Sequence, residues 1–389
     1  MKGVFLSHKI LPMVAGSWLI VAGAEGQAPI WSDEFDQVGA PNEAYWSYDL
    51  GDGGWGNNEI QTYTNDSANV RVEGGYLYIT AQEQQLKGKR RSYTSARIKT
   101  QEKLTVRYGT IEARIKVPNL ADGLWPAFWT LGRDFPEVGW PACGELDVME
   151  MGSQSAIAEG LVNRRVGSTA HWEHGGGYAG YGLTLDAATD LNNDFHVFRM
   201  EWTPDFVSTY LDGQQIWVID ISPGACTDCT EFHQPHFIIL NMAVGGSYTG
   251  LFSYRDITAT FPAEMVVDWV RIYDNGFTEL SGSAIPGTEA HVEAINVGVS
   301  GRKRVRGTAD VQVRDEKGDA VAGADVTVQF SGSFNETVTA TTGGDGWAAF
   351  TTSGRVKSPS FQACVTDLVH PSMAYVPVDN VEELSLIHI

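Results

Sequence analysis

Short runs in which apolar and polar residues alternate recur along the chain. They include Tyr76-Leu77-Tyr78-Ile79-Thr80, Gly109 to Val117, His196 to Trp202 and Val266 to Tyr273. Strict alternation predicts strands with one buried and one solvated face. Turn dipeptides such as Asp52-Gly53, Gly74-Gly75 and Asp212-Gly213 punctuate the runs. No segment sustains apolar residues at i, i+3, i+4 and i+7 over three helical turns. The pattern predicts an all-β chain whose first domain, residues 25–276, is a two-sheet antiparallel sandwich. Residues 277–290 are rich in Gly, Ser, Pro and Thr and read as a linker. A second series of alternating runs follows, at Ala309–Val313, Ala324–Phe330 and Trp347–Thr351. It predicts a smaller immunoglobulin-like β-sandwich over 291–380, with 381–389 left as an apolar tail.

Composition narrows the partners. The 389 residues carry a net charge of -21, which repels phosphate backbones and anionic lipid, so neither nucleic acid nor a membrane is an expected partner. Apolar residues at 43% supply a core, and the 11% aromatic content beside 43 glycines suits strands, tight turns and sugar-stacking surfaces. Lys2 and Lys9 precede an apolar stretch, Ile10 to Ala24, that ends in small residues. That arrangement predicts a signal peptide over 1–24 and a soluble protein secreted to the periplasm or outside the cell. Cys226 and Cys229 lie close to His233 and His236, but the gap is far shorter than in a zinc finger. A loop disulfide or unpaired thiols are the expectation there. Cys143 and Cys364 fall in different predicted domains.

The chemistry concentrates in Gly144-Glu145-Leu146-Asp147-Val148-Met149-Glu150. Alternation puts Glu145 and Asp147 on one face of a strand, whereas Glu150 in a regular strand falls on the other. A β-bulge at Val148-Met149 would return Glu150 to the shared face. Three aligned carboxylates repel one another, an arrangement that suits a working site better than an idle surface. Trp125, Trp129 and Trp140 flank the segment. Two glutamates leaning together can reach the roughly 5–5.5 Å carboxyl separation of a retaining glycosidase.

The Glu-x-Asp-x-x-Glu segment resembles the bulged signature of glycoside hydrolase family 16, in its laminarinase branch. Six further motifs between Ile30 and Tyr273 occur in the family's order: Trp31-Ser32-Asp33-Glu34-Phe35-Asp36, Gly54-Trp55-Gly56-Asn57-Asn58-Glu59, Thr94-Ser95-Ala96-Arg97-Ile98, Trp125-Pro126-Ala127-Phe128-Trp129, Ser168-Thr169-Ala170-His171 and Asn241 to Gly246. The resemblance implies a concanavalin-like β-jelly roll and a retaining endo-β-1,3-glucanase acting on a β-glucan polysaccharide. It implies Glu145 as nucleophile, Glu150 as general acid/base and Asp147 as the assisting carboxylate. It also implies Trp125 and Trp129 as sugar-stacking platforms, with Asn58 and Arg97 bonding glucose hydroxyls and His171 on the leaving-group side. No cofactor is expected for catalysis. A structural calcium is, through the backbone carbonyls of Glu34 and Gly75 and the Asp268 carboxylate. The expected state is a monomer. Mixed-linkage β-1,3-1,4-glucan, a marine galactan, or a non-catalytic β-glucan-binding role stand as alternatives.

Overall fold

Two-residue turns with both residues left-handed set the hairpins. Gly74 and Gly75, at φ 61° and 81°, join Val70–Glu73 to Tyr76–Gln85. Asp212 and Gly213, at φ 48° and 80°, join Phe206–Leu211 to Gln214–Asp220. This turn geometry matches the right-handed twist of paired strands. The computed structural model describes residues 27–389 except 86–90, 283–288, 316–317, 371–372, 376–379, 381–383 and 389. The expected signal peptide, 1–24, lies outside the described residues. Among the described residues strand accounts for 54% and helix for 6%, so the all-β expectation holds.

The N-terminal unit is two stacked sheets, one of ten strands and one of nine. Alternation does the sorting. Leu77, Ile79, Met265 and Val267 of the larger sheet, and Phe128, Leu146, Met149 and Leu240 of the smaller, meet in one buried cluster. Burying each such side chain is worth roughly 1.5–3 kcal/mol. In the nine-stranded sheet the consecutive neighbours are Gly177–Asp186, Arg165–His174, Glu145–Met151, Leu124–Gly132, His236–Val244, Arg97–Lys99 and Ser47–Tyr48. The outer face of this sheet, turned away from the core, is where the chemistry gathers.

Downstream, two four-stranded sheets surround a second core that includes Val311, Val328, Phe330, Phe350 and Phe361 and shares no residue with the first. Two boundaries differ from expectation. Part of the expected linker, Glu279–Ser281, is a strand paired with Thr105–Arg107 at the margin of the nine-stranded sheet. Within the expected tail, Leu384–His388 is a strand paired with Ser360–Val369. An apolar terminal run makes physical sense once that partner edge is known, because pairing satisfies backbone groups an open edge would expose.

Separate cores predict separate melting. Deleting residues 384–389 is expected to lower the calorimetric transition of the C-terminal unit by about 4–8 °C for each kcal/mol lost. The N-terminal transition should stay within about 1 °C.

Candidate active site

The strand Glu145–Met151 carries the bulge where alternation demanded it. Against its neighbour, Asp147 pairs with Trp129 and Met149 with Phe128, so Val148 has no partner of its own. On its other side, the register likewise slips between Asp147 and Glu150. Leu146, Val148, Met149 and Met151 are buried in the core, while Glu145, Asp147 and Glu150 share the outer face.

Cross-strand register then assembles the rest of the site one strand at a time. His171 stands opposite Glu145, Trp129 opposite Asp147, and Arg97 opposite Asn241. His171 Nε2 lies 2.9 Å from Asp147 Oδ2 and 3.8 Å from Glu145, and its Nδ1 lies 2.8 Å from the Tyr178 hydroxyl. An ionised Asp147 needs a donor, so the network assigns the proton to Nε2 and lets Tyr178 donate to Nδ1. A Cβ at Gly180 would sit 2.5 Å from that hydroxyl, so glycine there permits the close approach. Trp140 stacks on Tyr178 with ring centroids 5.3 Å apart, and both are largely exposed, at 49% and 58%.

On the other flank, Trp125 donates its indole N–H to Glu150 at 3.0 Å and stacks on Tyr248 at 4.9 Å. Only 8% of Trp125 is exposed. The expected open sugar platform is thus a buried ring that positions Glu150. Trp129 is more open. It donates to Asn241 Oδ1 at 2.7 Å and carries the Arg97 guanidinium 4.7 Å over its ring. Arg97 also lies 5.3 Å from the Trp55 ring and is fixed by Asp49 at 2.8 Å. Beneath, Asn241 donates to the Tyr63 hydroxyl, which donates to buried Glu59 at 3.0 Å. Asn58 is exposed, and its amide donates to Ser247 Oγ at 3.0 Å.

Burial dominates the electrostatics. It lifts Glu145 and Asp147 above the ordinary carboxylate range, and the Asp147 charge lifts Glu145 further. His171 and Arg97 oppose this at Glu145, favouring its ionised form. Glu150 is pushed up to about 8, first by burial and then by Asp147, against the weaker opposing pull of His171 and the Trp125 hydrogen bond. Burial thus favours the protonated form of all three carboxyls, with His171 and Arg97 favouring ionisation at Glu145 and His171 and the Trp125 hydrogen bond favouring it at Glu150.

The profile described as "Glycosyl hydrolases family 16" matches residues 57–271, more than half of the chain. The chain belongs to glycosyl hydrolase family 16. Over 276 residues it is 35% identical to the beta-glucanase of Rhodothermus marinus, covering 68% of this chain and 92% of that protein. It resembles the solved catalytic domain of an endo-1,3-beta-glucanase (laminarinase) from Thermotoga petrophila RKU-1, at 37% identity and a TM-score of 0.54 over 64% of this chain and 98% of that one. A family 16 protein for mixed linkage glucan from Bacteroides ovatus, solved with its G4G4G3G product, gives 30% identity and a TM-score of 0.55 over 62% and 99%. Two further curated relatives are longer, and the chain spans 34% and 38% of their lengths.

Not every expected ligand of this family 16 chain falls into place. The Asp268 carboxylate, the one charged group in the expected calcium set, is in an ion pair with Arg114. As arranged, a dication at Asp268 would have to displace the Arg114 guanidinium. Cys226 and Cys229 form a disulfide. His233 and His236 are engaged elsewhere, by Tyr108 and the Ile221 carbonyl and by Thr130 and the Glu231 carbonyl. Tyr178, Tyr248 and Glu59 were not singled out by sequence. The signal for Tyr178 was the glycine turn at Gly175-Gly176, which folds the next strand back beside His171.

A group whose folded pKa exceeds its unfolded value favours folding most at low pH. The contribution of Glu150 is therefore complete below roughly 4.3 and fades as pH rises through about 8. Glu150→Gln keeps the acceptor for Trp125 and removes the titration. Its Tm is expected to match the parent near pH 4 and to exceed it by a few °C at pH 9. Equal Tm differences at both pH values would contradict the assignment.

Proposed function

We propose that this family 16 hydrolase is a secreted, monomeric, retaining endo-β-1,3-glucanase of the laminarinase type. The observation that carries the reading is the bulge that returns Glu150 to the face of Glu145 and Asp147. Relatives described as a beta-glucanase and a laminarinase support the substrate class. The C-terminal unit is read as an immunoglobulin-like accessory sandwich joined to it.

In this mechanism a glucan chain lies across the outer face, with sugar rings on the exposed side of Trp129 and against Trp140 and Tyr178. Glu145 attacks the anomeric carbon while Glu150 gives its proton to the departing glycosidic oxygen, leaving a glycosyl ester on Glu145. Glu150, now ionised, takes a proton from water. That water attacks the same carbon, the ester bond breaks, and the sugar leaves with its configuration retained. His171 and Arg97 stabilise the Glu145 carboxylate before attack and as it departs. The charge of an ionised Asp147, which accepts from His171 Nε2–H, raises the proton affinity of Glu150. None of these steps needs a cofactor.

The test compares reducing-sugar release from laminarin, barley mixed-linkage glucan, agarose and carrageenan. Laminarin is expected to be preferred, with kcat/KM falling on the alkaline side near the Glu150 value of about 8. Glu150→Gln should lose about 10²–10⁴-fold on laminarin. Azide should rescue Glu145→Ala on an activated glycoside, giving the inverted glycosyl azide. Cleavage of a galactan alone would overturn the substrate, and laminarin binding without cleavage would leave a binding protein.

A further inference from the structure

On the opposite side of the N-terminal sandwich, three neighbouring strands of the ten-stranded sheet present a groove of about 400 Å³. Its floor is a cross-strand row, with Lys116 and Tyr78 both paired to Val266. Leu77, Ile79, Met265 and Val267 on the same strands point into the core, so the groove faces outward. Outward faces of antiparallel sheets are ordinarily polar. Here Tyr76, Tyr78 and Phe195 line one continuous surface with Val266.

The rings are fixed by neighbours. Tyr76 stacks on Phe195 at 5.4 Å, and Phe195 is backed by Arg114 at 4.6 Å. Tyr78 carries Arg71 at 4.4 Å on one side. Each tyrosine thus has a face committed to packing and an edge or face left to the groove, which lowers the entropy lost on binding. The polar groups are sparse and of mixed kind. Lys116 is a donor, Glu264 an acceptor held by Arg71 at 3.0 Å, and Asn192 an amide whose shielded Oδ1 has no hydrogen-bond partner. Rotation of that amide would offer its oxygen to a hydroxyl. Glu264 and Arg71 neutralise each other, and the net charge of -21 opposes a polyanion. Aromatic surface rimmed by a few donors and acceptors is the chemistry that recognises a neutral pyranose chain.

We infer that this groove is a second β-glucan-binding site, which holds a distant segment of the polymer while the carboxylate face cleaves another. The inference rests on the substrate class proposed above. Lying across the sandwich from the carboxylates, it acts through effective concentration. It therefore raises turnover of long or insoluble glucan and leaves short oligosaccharides untouched.

The experiment uses the full chain carrying Tyr78→Ala or, separately, Asn192→Ala, with Tm measured for each. Binding to insoluble β-1,3-glucan is read in the Glu145→Gln background, and hydrolysis of insoluble glucan and of a laminari-oligosaccharide in the active enzyme. Retention and polymer hydrolysis are expected to fall about fivefold, with oligosaccharide kcat/KM within about twofold of the parent. Folded variants that match the parent on the polymer overturn the groove's role, as does a parallel fall on both substrates. Tighter retention by sulfated galactan than by glucan also overturns it. A parent that cleaves no β-1,3-glucan defeats the proposed function along with the groove, whereas a parent that cleaves it beside unaffected variants defeats the groove alone.

Discussion

Three carboxyl groups side by side, Asp147 buried and Glu145 and Glu150 half-buried, repel one another, and the N-terminal unit is organised around tolerating that repulsion. The opposition is met from below by packing. Leu146, Val148, Met149 and Met151 of the same strand are buried in the core and lock the bulge in place. It is met from the sides by partners on adjacent strands, His171 for Asp147 and Trp125 for Glu150. Burial favours the protonated forms, and His171 and Arg97 oppose it at Glu145. The residues that make the site unfavourable for stability are therefore the ones that make it reactive.

The aromatic groups divide into those that hold the machinery and those left to meet a ligand. Trp125, closed in by Tyr248, and the chain Trp129–Asn241–Tyr63–Glu59 hold geometry. The exposed pair Trp140 and Tyr178 stands at the His171 end of the cluster. Tyr178 does both, since its hydroxyl fixes the imidazole that its ring lies beside. An exposed aromatic wall and the imidazole's hydrogen-bond network thus share a residue, and a change there would alter both together.

How much of this was legible depended on whether the information was local. The bulge was legible because Glu145, Asp147 and Glu150 sit within one strand, where only an extra residue can align them. The strand periods were legible for the same reason. Register was not, because it is set by pairings between distant segments. Asp268 looked available to a cation until the Arg114 strand was laid beside it, and the last apolar run looked like a tail until Ser360–Val369 offered an edge. Trp125 was recognised as part of the site, but its burial under Tyr248 follows from a loop far along the chain. The family resemblance supplied residue roles that alternation alone leaves open, and it carried no information on Arg114, which pairs with the Asp268 carboxylate.

In the proposed mechanism Glu145 is the carboxylate that bonds to sugar, while Glu150 only moves protons. A 2-deoxy-2-fluoro β-laminaribioside with a good leaving group slows breakdown of the glycosyl ester enough to trap it. Peptide mass spectrometry after protease digestion then reads the attachment point. One added 2-deoxy-2-fluorolaminaribiosyl group is expected, on Glu145, with Glu150 unmodified. A label on Glu150 or Asp147, or turnover with no trapped ester at all, would contradict that mechanism.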